Sequence, residues 1–425
     1  MFDQDGTKLR SVAWSEICPW LALFRSFRVA IGARVLLPAA AGLLLTVVGW
    51  SLLGQAFSPA EQPLAWMAEY RETPFRAIGA AVPDRPPLAP WGRRSGIGGQ
   101  RPGTAPTAWH ADEPVFGSWS HLSRPLMEAF RPEASAGAVT AAVLCGLWGL
   151  AVWSLFGGMI TRVAVVQFAA DERVGFMAAL RFAARKWPAY FVAPLLPVVG
   201  VVLCAVGVFV LSLLANFDLG LVFVGLAWPV ALVLGFIMAL LLLGLLFGWP
   251  LMAATISAEG TDSFDALSRS YAYVFQRPLH YLFYVLVAAA FGALGWLLVV
   301  NFTAAIITMS HWGLSWAVGQ QRTADIAAGA DGLGEIARMG ATLVLFWAGC
   351  VKLLAAAFLY GYFFTAVGCI YLLLRRDVDA TEMDEVYQDA DATEPAYGLP
   401  PIQYDEAGAP EVGGQTPADD APPAE

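Results

Sequence analysis

The chain has 425 residues, 58% of them hydrophobic and 14% charged, with a mean hydropathy of +0.60. Soluble domains carry about a quarter charged residues, so this composition excludes an ordinary soluble fold and places the chain in a membrane. The net charge of −9 is unevenly spread: positions 377–425 hold 14 Asp or Glu and no Lys or Arg, and removing those from the 34 acids leaves 20 against 25 bases. A mildly basic body with an acidic tail argues against nucleic-acid binding.

The N-terminus opens MFDQDG, and Arg25, Arg28 and Arg34 precede the first apolar run. That pattern predicts a retained first span, with 1–34 as a cytoplasmic segment carrying an amphipathic helix. A bilayer core of ~30 Å takes about 20 apolar helical residues to cross. Six stretches qualify, near 35–56, 138–160, 189–215, 228–254, 279–305 and 349–374. The uncharged stretch 219–258 is long for one span, and we expect an interfacial lead-in, a break near Pro229 and an end near Pro250. The predicted organisation is a first span at 35–56, an outer insertion at 57–137, a five-span core at 138–376 and a disordered acidic tail at 377–425. The insertion carries twelve prolines. Its last part, WSHLSRPLMEAF, places Trp119, Leu122, Leu126 and Phe130 on one face of an interfacial helix.

Charge placement gives the orientation. Arg162, Arg173, Arg181, Arg185 and Lys186 fall in one predicted inner loop, Arg269 and Arg277 in the next, and Arg375–Arg376 close the last span. Under the positive-inside rule both termini are cytoplasmic.

Two segments share a pattern. Asp171 to Arg181 reads DERVGFMAALR and Glu259 to Arg269 reads EGTDSFDALSR: an acid, then Phe at five, Ala at seven and Arg at ten residues on. Phe176, Leu180, Ala183 and Trp187 line one face of the first, and Phe264, Leu267, Tyr271 and Phe275 one face of the second. Each elbow sits between spans, the following one beginning at a proline (Pro188, Pro278). Span, amphipathic helix, span therefore occurs twice in one orientation, the signature of parallel repeats. Two readings of the elbows stand together. Either their apolar faces lie in the headgroup boundary with arginines towards anionic lipid, or Asp171, Arg181, Glu259 and Arg269 meet as a binding site.

The stretch FGGMITRVAVVQFAADERVGFMAALRFAARKWPAYFVAPLLP, with the tail opening IYLLLRRDVDATEMDEVY, resembles a family of bacterial multi-span membrane proteins of unknown function. The likeness covers most of the chain outside the proline-rich insertion and implies an inner-membrane setting. More loosely, SAEGTDSFDALSRSY is similar to the membrane domain attached to some glycerophosphodiester phosphodiesterases. That similarity implies architecture and no catalysis, since no phosphodiesterase domain accompanies it.

Chemistry-bearing motifs are few. The five cysteines share no C-x-x-C spacing and read as small hydrophobes. His110, His121, His280 and His311 lack zinc-site spacing, SGIGG follows no strand, and no G-x-S-x-G elbow occurs. No cofactor or catalytic residue is predicted. Lys352 reads as a snorkelling cation at the outer interface, with an intramembrane ion pair as the alternative. Ala357, Gly361 and Thr365, like Ala288 and Gly292, are small residues at helix-packing spacing, either within the chain or between copies. Met383 and Tyr387 in TEMDEVY form a candidate partner patch on the tail. The expectation is an all-α, six-span, non-enzymatic component contacting membrane lipids and a protein partner. The alternative is a small-molecule or lipid transporter working at the interface of the repeats.

Overall fold

The protein is described by a computed structural model at residues 18–56, 70, 114–131, 134–329 and 333–387, and at the backbone of 403–404 and 410–411. A 3-10 turn, Pro19–Phe24, leads into α1 (Arg25–Ala30) and α2 (Ala33–Ala56). Then come α3 (Phe116–Ala129), α4 (Ala136–Ala169), α5 (Phe176–Val192), α6 (Leu195–Ser212) and α7 (Asp218–Glu259). The order closes with α8 (Ser263–Gln276), α9 (Pro278–Val318), α10 (Gln320–Ala328) and α11 (Glu335–Asp379). Six segments are long and apolar enough to cross a membrane: α2, α4, α5–α6 together, α7, α9 and α11. The expected all-α, six-span architecture is the observed one.

Residues 387–425 form a second unit, in which Gln403 and Tyr404 pair antiparallel with Glu411 and Pro410. The unit boundary lies after Val386 rather than at the expected 376/377, because α11 runs to Asp379 and the residues after it fold onto the helices. The central proline-rich segment with His110, and residues 388–425 of the tail apart from that pairing, lie outside the described residues. Residues 377–386, expected to be disordered, are instead the end of α11 and a segment packed on the core.

Several helix limits differ from the expected ones. α7 runs unbroken through both Pro229 and Pro250 and ends only at Gly260, whose φ of 63° takes the left-handed cap. At ~1.5 Å per residue its 42 residues extend about 63 Å, twice the hydrocarbon core. Proline frees the carbonyl four residues back, and tertiary partners can repair that loss in a membrane helix. For Pro250 the freed carbonyl is that of Leu246, and the Trp119 indole donates to it at 3.0 Å. Pro188 likewise sits inside α5 and starts nothing; the next helix begins after Pro194, with Pro197 in its first turn. α9 extends to Val318, past the expected end at 305. α11 begins at Glu335, before the expected 349, so that Lys352 stands within it.

The bundle has an elbow end, where α4, α7 and α11 finish and α6 and α9 depart. Around α2, α4 and α11 lies the main core, with Val35, Trp50, Phe358, Tyr362 and Phe364 buried. Phe182, Tyr190, Leu245, Met252 and Ala266 form a second cluster joining α5, α7 and α8. Away from the elbows, α6 packs along α7, with Gly200 facing Leu241 and Gly207 facing Leu234. The rest of those helices, and the far halves of α9 and α11, expose apolar side chains such as Leu226 and Trp316, about three-quarters accessible. In a bilayer this is lipid-facing surface, where side chains meet hydrocarbon while the backbone stays satisfied within each helix.

The small-residue spacings are intrachain contacts. Gly292 faces the Tyr362 ring, Gly361 faces Val35, and Ala288, Ala357 and Thr365 are fully buried. On α3, Trp119, Leu122 and Leu126 of the expected face pack against the cores, Phe130 lies beyond the helix and is exposed, and the most deeply buried residues are the small Gly117, Ser118, Ser123 and Pro125. The small residues turn inward because they let α3 approach α4 closely.

Candidate functional site

The elbow end gathers the polar groups. α7 terminates at Glu259, the left-handed Gly260 turns the chain, and the Asp262 carboxylate caps α8 by accepting from the Asp265 N–H at 3.0 Å. This turn aims Arg269 of α8 back at Glu259: Nη1 lies 2.9 Å from Oε1. The same Oε1 accepts from the Tyr371 hydroxyl at 2.6 Å, and Arg375 Nη1 stands 3.9 Å away. Arg269 also stands 3.8 Å from Asp379 Oδ2, which accepts from the Tyr273 hydroxyl. Two carboxylates and two guanidiniums thus close a neutral network between α7, α8 and α11. Burial works against the Arg269 charge, but Glu259, then Tyr371 and Tyr273, outweigh it and hold its pKa above the ordinary value.

Arg375, 5% exposed, does a second task. Its Nη2 donates to the Glu382 carbonyl at 3.3 Å and to that of Glu385. Ala380, at φ 54°, ends α11 in the left-handed region and turns the chain back. Met383 and Val386 then pack against the main core, so 380–386 form a strap across the helix ends. Of the proposed partner patch, Met383 is half-buried in this strap, whereas Tyr387, first residue of the second unit, is 42% exposed.

The first elbow is built differently. Asp171, itself at φ 54°, pairs with Arg25 at 2.6 Å across exposed side chains, and Arg34 donates to the Val174 carbonyl at 2.9 Å. An exposed pair of this kind contributes at most about 1 kcal/mol. Arg181 is exposed and makes no hydrogen bond or ion pair among the described residues. The four matched positions therefore do not converge: Glu259 and Arg269 meet, while Asp171 and Arg181 part company. What joins the elbows is Lys186, donating to the Gly260 carbonyl, and Arg162, which donates to the Ser257 carbonyl at 2.8 Å beneath the Phe182 ring. The faces also rotate from expectation. Ala179, Phe182 and Ala183 are buried on α5 and Ala266, Ser270 and Tyr273 on α8, while Phe176, Phe264 and Phe275 are exposed. Ala179, Ala183, Ala266 and Ser270 let the elbows lie tightly on α4 and α7 with Phe182 and Tyr273 buried beside them, while Phe176, Phe264 and Phe275 face outward.

A second polar set lies on α3. His121 Nε2 is 2.8 Å from the Tyr70 hydroxyl, Nδ1 is 2.9 Å from that of Tyr360, and the ring lies against Trp50 at 5.0 Å. Neutral imidazole matches this pairing, one nitrogen accepting and the other donating. Burial, helped by nearby Arg124, lowers its pKa from 6.5 to about 4. Between those values the unfolded chain takes up a proton that the folded one refuses, so stability falls as pH drops. The loss reaches at most about 3 kcal/mol from pH 6.5 to 4. Thermal unfolding across that range should show a slope that His121→Gln removes; equal slopes would place the effect elsewhere. Sequence spacing had no access to this set, because its partners lie 51 and 239 residues away.

Among the described residues no three His, Cys, Asp or Glu side chains converge as a metal site. The fold defines an all-α, multi-span membrane protein whose polar chemistry is gathered at one end of the bundle. No protein-family model, curated protein or solved structure matches the chain.

Proposed function

We propose that this is a non-enzymatic component of the bacterial inner membrane that organises lipid and holds a protein partner at its acidic tail. The carrying observation is the contrast between its two surfaces. The ionic groups around the second elbow are spent on one another, Glu259 on Arg269 and Tyr371 and Arg375 on the strap, whereas apolar side chains of α6, α7, α9 and α11 are presented outward. A general base or nucleophile needs a free partner poised for substrate, and a carboxylate committed to arginine and tyrosine is a poor candidate.

The basic groups Arg162, Lys186, Arg269 and Arg375 share the elbow end, which supports a cytoplasmic placement of that end and of both termini. The order α4–α5–α6 followed by α7–α8–α9 supports the reading of two parallel repeats. Exposed Phe176 and Phe264 fit elbows resting at the headgroup boundary. Tyr387 and the acids after it are the docking segment of this proposal.

Lipid transport at the interface of the repeats is the second reading. An apolar cavity among α3, α4, α6 and α7 favours it, and its walls exclude polar cargo. Both readings are tested by purifying the full chain in native-membrane discs and identifying bound proteins and lipids. Enrichment of a protein partner that is lost on deleting 387–425 supports the first. Lipid alone, with protein-dependent lipid movement between vesicles, would replace it with the second. Alkaline phosphatase activity from a C-terminal fusion would overturn the orientation.

A further inference from the structure

The cavity among α3, α4, α6 and α7 has a volume of about 350 Å³, at the small end of ligand sites. Its walls include Trp50, Leu126, Gly146, Trp153, Val198 and Trp249. Two of its polar groups are already engaged: Trp249 Nε1 donates to Ser123 Oγ at 3.2 Å and Trp50 Nε1 to the Cys145 carbonyl at 3.0 Å. Trp153 Nε1 is buried with no partner among the described residues, a single donor. No charged side chain lines it. Water needs two to four polar partners to occupy such a space, and a polar solute would lose its own. The occupant is therefore apolar.

Breadth decides among apolar occupants. A helix from a second copy is ~10 Å across and needs several turns to dock, whereas an acyl chain is a single file of methylenes. Three of the four walls belong to segments that read as membrane spans, and the cavity is partly open. Acyl chains are the apolar groups that a bilayer brings to such spans, and they are slender. We propose that this cavity is a binding site for one acyl chain of a bilayer lipid, recognised by its chain and not by its headgroup. The site rests on the lipid-organising reading and gives it a location. Gly146 and Gly149 keep the α4 wall open: a Cβ at Gly146 would rest 3.4 Å from Pro125 Cβ, and one at Gly149 would lie 3.9 Å from Trp50, ordinary contacts. Alanine there fits, while a larger side chain must project into the space.

The test uses the full chain in discs of phosphatidylethanolamine and phosphatidylglycerol, with a small fraction of either lipid carrying a diazirine along one acyl chain. Irradiation should label peptides containing Leu122–Leu126 and Gly146–Trp153 with both headgroups. Gly146→Phe, or Val198→Trp from the opposite wall, should cut that labelling about tenfold, equivalent to 1.4 kcal/mol of lost chain affinity. Gly146→Ala and the lipid-facing Leu294→Phe should leave it unchanged. Melting temperature and gel-filtration profile establish that each variant is folded, and whichever cavity-filling variant folds decides the matter. Labelling confined to the exposed surfaces of α7 and α9, labelling of the cavity that survives filling, or labelling with one headgroup only overturns the site. Capture of a protein partner through 387–425 is untouched by any of these results, so the site and the broader reading fail separately.

Discussion

Glu259→Gln should destabilise the protein by about 2–4 kcal/mol, the largest loss expected from any single charge on the elbow end. Glutamine keeps the shape and can still accept from Tyr371, so the change isolates charge. Arg375 is left buried with two backbone carbonyls, and Arg269 with Asp379 at 3.8 Å. Breaking a buried pair costs about 3–5 kcal/mol, and the 42% exposure of Arg269 trims that through solvent screening. The measurement is denaturant unfolding in detergent, with Arg269→Gln and the double variant completing a cycle. Coupling of at least about 1 kcal/mol between the two sites is expected, since they share one hydrogen-bonded network. Limited proteolysis supplies a second readout: loosening Arg375 should release 380–386 and speed cleavage there. Additive losses and unchanged cleavage would mean that Glu259 is an ordinary helix end.

Half of this network was legible in the sequence. Glu259 and Arg269 stand ten residues apart across a turn, and a pattern search finds them. Tyr371 is 112 residues from Glu259, so only the fold reveals that one carboxylate serves both. The matched first copy shows the opposite lesson. Asp171 and Arg181 repeat the residue types, but Arg25 comes within 2.6 Å of Asp171, and the pattern diverges in use. Span number was legible because uncharged runs of 20 residues have few other fates. Span limits were less so, because the cost of a proline depends on its partners. Nothing near Pro250 in sequence announces that Trp119 caps the carbonyl it frees. For the same reason the stripe of Trp119, Leu122 and Leu126 shows that α3 has an apolar face, while the buried Gly117, Ser118 and Ser123 that let it lie close on α4 carry no such signal.

Gly292→Leu should cost about as much as the charge change, and for reasons of volume alone. A Cβ at Gly292 would stand 2.6 Å from the Tyr362 ring, closer than real Cβ atoms come. That ring is fully buried, and its hydroxyl donates to the Ala288 carbonyl at 2.9 Å, one turn away on the same helix. Even alanine must push α9 off α11 or dislodge Tyr362 and break that bond, and overpacking of this kind costs about 1–3 kcal/mol. Leucine should exceed it and separate the helices. Gly235 in α7 supplies the contrast, having open space where its Cβ would go. There Gly235→Ala meets no neighbour and should gain up to about 1 kcal/mol from helix propensity. Unfolding in detergent compares the two directly, and in the Tyr362→Ala background the penalty of Gly292→Ala should nearly vanish. Opposite signs at two glycines of equally apolar helices would locate the packed seam at α9–α11 and the lipid-facing surface on α7. Equal signs would remove the seam, and with it the account of why Ala288 and Gly292 are small.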